Sequence, residues 1–162
     1  MINQPVKSFI NFRLSEGRRS QPVAPRAKPG KVQVVVANSF DDIVMDESKN
    51  VFIEFFAPWC GHCQRLKPAY DKLAEVLKDK KDIIIAKFDA TANEIPATFK
   101  VEGYPTMYLA LPGKKDEPIE YGNRERDVET MKAFVMDNSV VMSKDVQVGN
   151  SVAMLKSGKD EL

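Results

Sequence analysis

Cysteine and histidine are scarce in this 162-residue chain, which has two of the first and one of the second. That scarcity excludes much. A structural zinc site wants four Cys or His ligands, and an iron–sulfur cluster wants four thiolates. The chain offers only Cys60, His62 and Cys63, with the histidine crowded between the cysteines, so zinc would need a carboxylate or a second chain. Charge of one sign is lacking too. The formal net charge is +1, and no global field argues for nucleic acid or an anionic membrane surface. No apolar run is long enough to span a bilayer. The opening residues, MINQPVKSFINF, lack the apolar core and small-residue cleavage site of a secretory signal.

What is there is the composition of one soluble domain with tails, 43% hydrophobic and 29% charged. Val6, Phe9, Ile10 and Leu14 suit one face of a helix, so residues 1–14 read as the remnant of a preceding domain. Residues 15–31, SEGRRSQPVAPRAKPGK, hold three prolines, two glycines and several basic residues; they read as a semi-extended linker. From Val32 the pattern changes. KVQVVVA reads as a strand and SFDDIVMD as a short helix opening on Ser39. VFIEFFA and DIIIAKFDA are apolar runs of the kind found in central strands buried on both faces. GHCQRLKPAYDKLAEVLKDK shows helical spacing with a kink expected at Pro68. EIPATFKV is expected to form a short helix. Thr106–Leu111 and Pro118–Tyr121 read as a hairpin around PGKKDE, and Asp127 leads a last helix. The order βαβαβαββα predicts an α/β domain over residues 32–139: a central mixed sheet flanked by helices on both faces. Residues 140–162 lack periodicity and read as a flexible tail. It ends in Lys159, Asp160, Glu161 and Leu162, the endoplasmic-reticulum retrieval address at the one position where it works. A retrieval address without an entry signal leads us to expect part of a longer secretory-pathway protein, held in the endoplasmic-reticulum lumen and recognised by the retrieval receptor.

Both cysteines fall in FFAPWCGHCQRLKP, residues 55–68. A static disulfide there closes a tiny loop and removes little entropy from the unfolded chain. A C-x-x-C that follows a buried strand and opens a helix is instead the redox arrangement. Cys60 stands where unpaired backbone N–H groups and the helix dipole favour negative charge. His62 adds a donor or a positive charge, unless it is a plain surface residue. Both would favour the Cys60 thiolate, the nucleophile of disulfide exchange. Cys63, one helical turn inward, is placed to attack a mixed disulfide formed at Cys60. Glu54 and Lys87 are oddities inside apolar strands. An ionised side chain there is costly unless paired, or unless either residue lies at a sheet edge in water.

At APWCGHC the chain resembles the catalytic modules of the protein disulfide isomerases, which have the thioredoxin fold. KVQVVVANSFDDIV, IIIAKFDATANEIP and KVEGYPTMYL extend the resemblance, which covers about residues 20–136 and looks like the last catalytic module of the larger members. It implies that the chain forms, reduces and rearranges disulfides in unfolded or misoxidised secretory clients. It also implies that other domains of a longer parent chain accompany it. The Cys60–Cys63 disulfide would do the chemistry without metal or organic cofactor, with glutathione as exchange partner. The resemblance further implies that Glu54, with Lys87 beside it, moves protons for the cysteines. Pro105 would be a cis proline that, with Trp59, Gly61 and Tyr104, shapes the groove for substrate backbone. An arginine at the start of the last helix would swing toward the second cysteine; both Arg124 and Arg126 are available, and the register favours Arg126. Trp59 could instead be core. Two other functions remain open: a client-binding chaperone module without catalysis, and a thioredoxin-like reductase, which usually has a proline between its cysteines.

Overall fold

The structure, a computed structural model, describes residues 17–141. The expected helix over residues 1–14 and the tail beyond Val141, with its retrieval address, lie outside the described residues. β1 (Gln33–Val35) leads through one 3-10 turn (Ala37–Ser39) into the short α1 (Phe40–Ile43). β2 (Asn50–Phe56), α2 (Gly61–Val76) and β3 (Ile83–Asp89) follow, then β4 (Thr106–Leu111), β5 (Lys114–Glu120) and α3 (Val128–Asn138). The strands form one sheet in the order β1-β3-β2-β4-β5. β1, β3 and β2 run parallel, while β4 is antiparallel to β2 and β5 to β4. β2, the uninterrupted apolar run, is the central strand.

Alternation along β2 divides the core between two faces. Phe52 joins Leu66, Tyr70, Leu73, Met131 and Phe134 under α2 and α3. Val51, Ile53 and Phe55 join Phe40, Phe88, Phe99 and Tyr108 on the side of α1. By the same period, Glu54 shares the face of Phe52, and the register sets it between Lys87 of β3 and Met107 of β4. The Tyr70 hydroxyl locks α2 to the sheet, 2.6 Å from the Ala86 carbonyl and 3.0 Å from that of Phe52. α2 runs through Pro68 to Val76.

Two expectations change. EIPATFKV is not a helix but a turn, with Phe99 N–H donating to the Pro96 carbonyl at 3.0 Å. Ile95 precedes a proline, which disfavours helical backbone, and the Glu94 N–H is taken by the Arg19 carbonyl at 2.7 Å. β5 starts at Lys114 rather than Pro118. α1 opens on Ser39 as expected, although the Ser39 hydroxyl accepts the Val36 N–H at 3.1 Å, closing the turn before the helix, and makes no bond to the helix itself.

Residues 18–27 are extended, but they are fastened to the domain. Asn93, fully buried, is the clasp: its Oδ1 accepts the Gln21 and Ala37 N–H groups, and its Nδ2 donates to Gln21 Oε1 and the Asp89 carbonyl. Arg18 and Arg19 donate to the carbonyls of Ala37 and Thr91. At the other end, Val140 is paired through both backbone groups to the Asn50 side chain at 2.8 Å.

Candidate active site

The site is built where β2 gives way to α2. Four N–H groups at a helix start have no intrahelical acceptor. Here the residue that caps them is a cysteine: Cys60, extended at φ −80 and ψ 118, accepts the Cys63 N–H on its sulfur at 3.4 Å. Its thiol also donates toward the Tyr104 carbonyl at 3.6 Å. The Tyr104–Pro105 peptide, to which that carbonyl belongs, is cis. Trp59 is 73% exposed, with its ring edge-on to Tyr104 at 5.9 Å between centroids. Gly61 is the first helical residue, and its open side is bordered only by the Arg65 guanidinium.

The two sulfurs are driven in opposite directions. Burial pushes both thiols up, but at Cys60 the Cys63 thiol, the Cys63 and His62 amide N–H groups and the Arg126 charge outweigh it and hold the thiol below its ordinary value. At Cys63 burial wins and pushes the thiol up to about 12; the Ala57 amide opposes it, and the neighbouring Cys60 and Glu54 add to the rise. Both cysteines are free thiols here.

His62 acts on Cys60 through its backbone. Its imidazole turns to Arg65, with Nδ1 2.9 Å from the guanidinium Nη2. A guanidinium has only donors, so Nδ1 accepts and the ring proton belongs on Nε2. Sequence reading passed over Arg65, although its place three residues on in a helix puts it beside His62.

Glu54 is 5% exposed, and no donor among the described residues reaches its carboxylate within hydrogen-bond distance. Lys87 lies across the register from it without an ion pair; its Nζ stands over the Phe56 ring at 5.9 Å from the centroid. Burial pushes the Glu54 carboxyl up to about 7, against the partial opposition of Lys87, Arg126 and Lys67. Glu54, Cys63 and Lys87 line one cavity of about 160 Å³, with Gln64 and Lys67 at its sides. The two arginines separate clearly. Both are exposed, but Arg124 donates to the Tyr121 carbonyl and stacks on Phe134 at 4.8 Å, whereas the charge of Arg126 reaches both Cys60 and Glu54. Among the described residues, no three His, Cys, Asp or Glu side chains group as a metal site. No described helix is long and apolar enough to cross a membrane.

The family model described as Thioredoxin matches residues 31–137. The chain belongs to the thioredoxin family. It is 45% identical over 144 residues to protein disulfide-isomerase A4 of Homo sapiens, an alignment covering 88% of this chain and 22% of that protein. It is 48% identical over 121 residues to protein disulfide-isomerase A3 of Gallus gallus, covering 74% of this chain and 24% of the relative. Thus the chain spans less than a quarter of the length of either. Among solved structures, the first thioredoxin domain of mouse protein disulfide-isomerase A4 superposes with a TM-score of 0.57 at 39% identity, over 70% of this chain and 79% of that one. The domain is therefore related to those of the protein disulfide-isomerases, and the mixed five-stranded sheet is the thioredoxin fold.

Proposed function

We propose that this domain is a thiol–disulfide oxidoreductase and isomerase acting on secretory client proteins in the endoplasmic-reticulum lumen. One observation carries the reading: the Cys60 sulfur caps the start of α2, accepting the Cys63 N–H at 3.4 Å, while Cys63 one turn on is buried. That arrangement holds the first thiol low and pushes the second up to about 12. A low thiolate is a nucleophile and a good leaving group, and stabilising it makes the disulfide a better oxidant. In oxidation, a client thiolate attacks the Cys60 sulfur of the Cys60–Cys63 disulfide. The S–S bond breaks, Cys63 leaves and takes a proton, and a mixed disulfide remains at Cys60. A second client thiolate then displaces Cys60 and carries away the new disulfide, leaving both cysteines reduced. In isomerisation, the Cys60 thiolate attacks a client disulfide, and Cys63 releases the client if the intermediate stalls.

Cys63 must lose its proton to attack and regain it on leaving. Glu54, with its carboxyl near 7 and in the same cavity, is suited to both transfers at neutral pH. Lys87 and Arg126 bias that exchange by charge. Trp59, Gly61, Tyr104 and Pro105 border Cys60 and form the surface on which client backbone would lie. The rest of a longer parent chain, the retrieval receptor and glutathione are the partners this reading implies.

Equilibrium with a glutathione buffer tests the proposal. A potential near about −180 mV supports an isomerase, and one near about −270 mV a thioredoxin-like reductase. Refolding of a scrambled client separates catalysis from passive holding: Cys60→Ser abolishes recovery of the native client, while a holdase would survive the change.

A further inference from the structure

The end of the sheet remote from the cysteines carries a second concave feature. Residues 28–31 form a tight turn, closed by the Lys31 N–H donating to the Lys28 carbonyl at 3.1 Å. Gly30 stands at φ +81, where a Cβ would come 3.4 Å from Lys78 Cβ and 3.7 Å from Glu75 Cα. Glycine's tolerance of that backbone lets the turn lie close against the end of α2. Between this turn, the end of α2 and the start of β3 lies a groove of about 310 Å³. Its floor is apolar, from Leu77, Ile83 and Ile85, and its walls carry Arg26, Lys28, Lys31, Lys78, Lys80 and Lys81.

No carboxylate lines the groove, and the ion pairs found among the described residues, Lys67–Asp71, Lys72–Glu75 and Lys100–Glu102, use none of its cations. In a chain of net charge +1, six cations around one concavity, none of them ion-paired among the described residues, outnumber Asp79 and Asp82 of the same run and leave a local positive excess. The wall is also preformed. Arg26 donates to the Asp42 carbonyl at 3.4 Å, and the Ala27 N–H donates to the Gln33 side chain at 2.7 Å. The cations of the amino-terminal strap are thereby held opposite those following α2, which lowers the ordering cost of binding.

We propose that this groove docks an extended acidic segment of another polypeptide, its carboxylates meeting the two cationic walls and an apolar side chain reaching the floor. Charge complementarity selects the occupant. Neither end of this chain supplies it: residues 1–16 carry Lys7, Arg13 and Glu16, and residues 142–162 carry three lysines against three acidic residues. The 16-residue α2 separates the groove from Cys60 by about 24 Å, so the site stands independently of the redox chemistry.

Fluorescence anisotropy of a labelled decaglutamate peptide, titrated with the full chain, tests this. Saturable binding is expected at low salt, weakening about tenfold at high salt, with no binding of decaglutamine. The triple variant Lys78→Gln, Lys80→Gln, Lys81→Gln loses at least about tenfold in affinity while the melting temperature and the alkylation rate of Cys60 stay unchanged. Arg26→Gln, Lys28→Gln, Lys31→Gln, altered on the facing wall, gives the same loss. The proposal is overturned if the peptide fails to bind at low salt or binds both variants as well as the parent. It is overturned equally if vesicles containing phosphatidylserine bind as tightly through the same residues.

Discussion

Lys115 and Glu54 each bury an ionisable group, and they do so differently. Lys115 of β5 is 2% exposed and Glu54 of β2 is 5% exposed. Burial shifts each toward its neutral form, pushing the lysine down to about 8 and the carboxyl up to about 7. Lys115 is nevertheless satisfied: its Nζ donates to the Lys49 carbonyl at 2.6 Å and the Ala110 carbonyl at 3.1 Å, tying β5 to the loop before β2. Glu54 has no such donors and faces the cavity it shares with Cys63. A perturbed group with its valences filled is a structural tie; one left open beside a nucleophile is free to exchange a proton. The magnitude of the shift does not tell the two apart.

Glu54→Gln should break the comparison most visibly. It removes the proton acceptor while keeping shape, and client release by Cys63 should slow about a hundredfold at neutral pH, read by quenched-flow trapping of the mixed disulfide. Stability should move the other way. The folded state prefers the protonated carboxyl, so that contribution is complete below the ordinary value of 4.5 and is lost as pH rises through about 7. The glutamine variant should therefore gain about 3 kcal/mol over the parent at pH above 7, and little at acid pH, by denaturant melts across that range. Lys115→Met acts on structure instead. Two buried carbonyls lose their donor, so stability falls by about 2 kcal/mol at pH above about 10, where the parent's lysine is neutral, and exchange activity per folded molecule is unchanged. Because the lysine is depressed in the fold, the parent's stability should climb between about 8 and the ordinary lysine value of 10.5, a rise the methionine variant lacks.

The sequence made the central strands legible because long apolar runs have few alternatives, and with them the α/β class and the position of the cysteines at a strand-to-helix junction. It hid what depends on distant partners. The strap over residues 18–27 reads as linker because its composition is that of a linker. Its order comes from Asn93 and Gln21, which are 72 positions apart. β5, KKDEPIE, is an edge strand too charged for its period to stand out. At the site, the residue types were readable but their contacts were not. Nothing in GHC says that the histidine offers its amide to the sulfur and its ring to Arg65.

The smallest effect concerns Arg124 and Arg126, which the sequence could order only by counting. Arg126→Gln should leave melting unchanged and move the midpoint of Cys60 alkylation upward, with less than about a threefold change in rate at neutral pH, since an exposed charge acts through screened solvent. Arg124→Gln should do the opposite, costing about 1 kcal/mol of stability through the lost stacking on Phe134 while the alkylation midpoint holds. If Arg124 moved the midpoint and Arg126 did not, the charge that steadies the thiolate would come from the residue packed on the aromatic core.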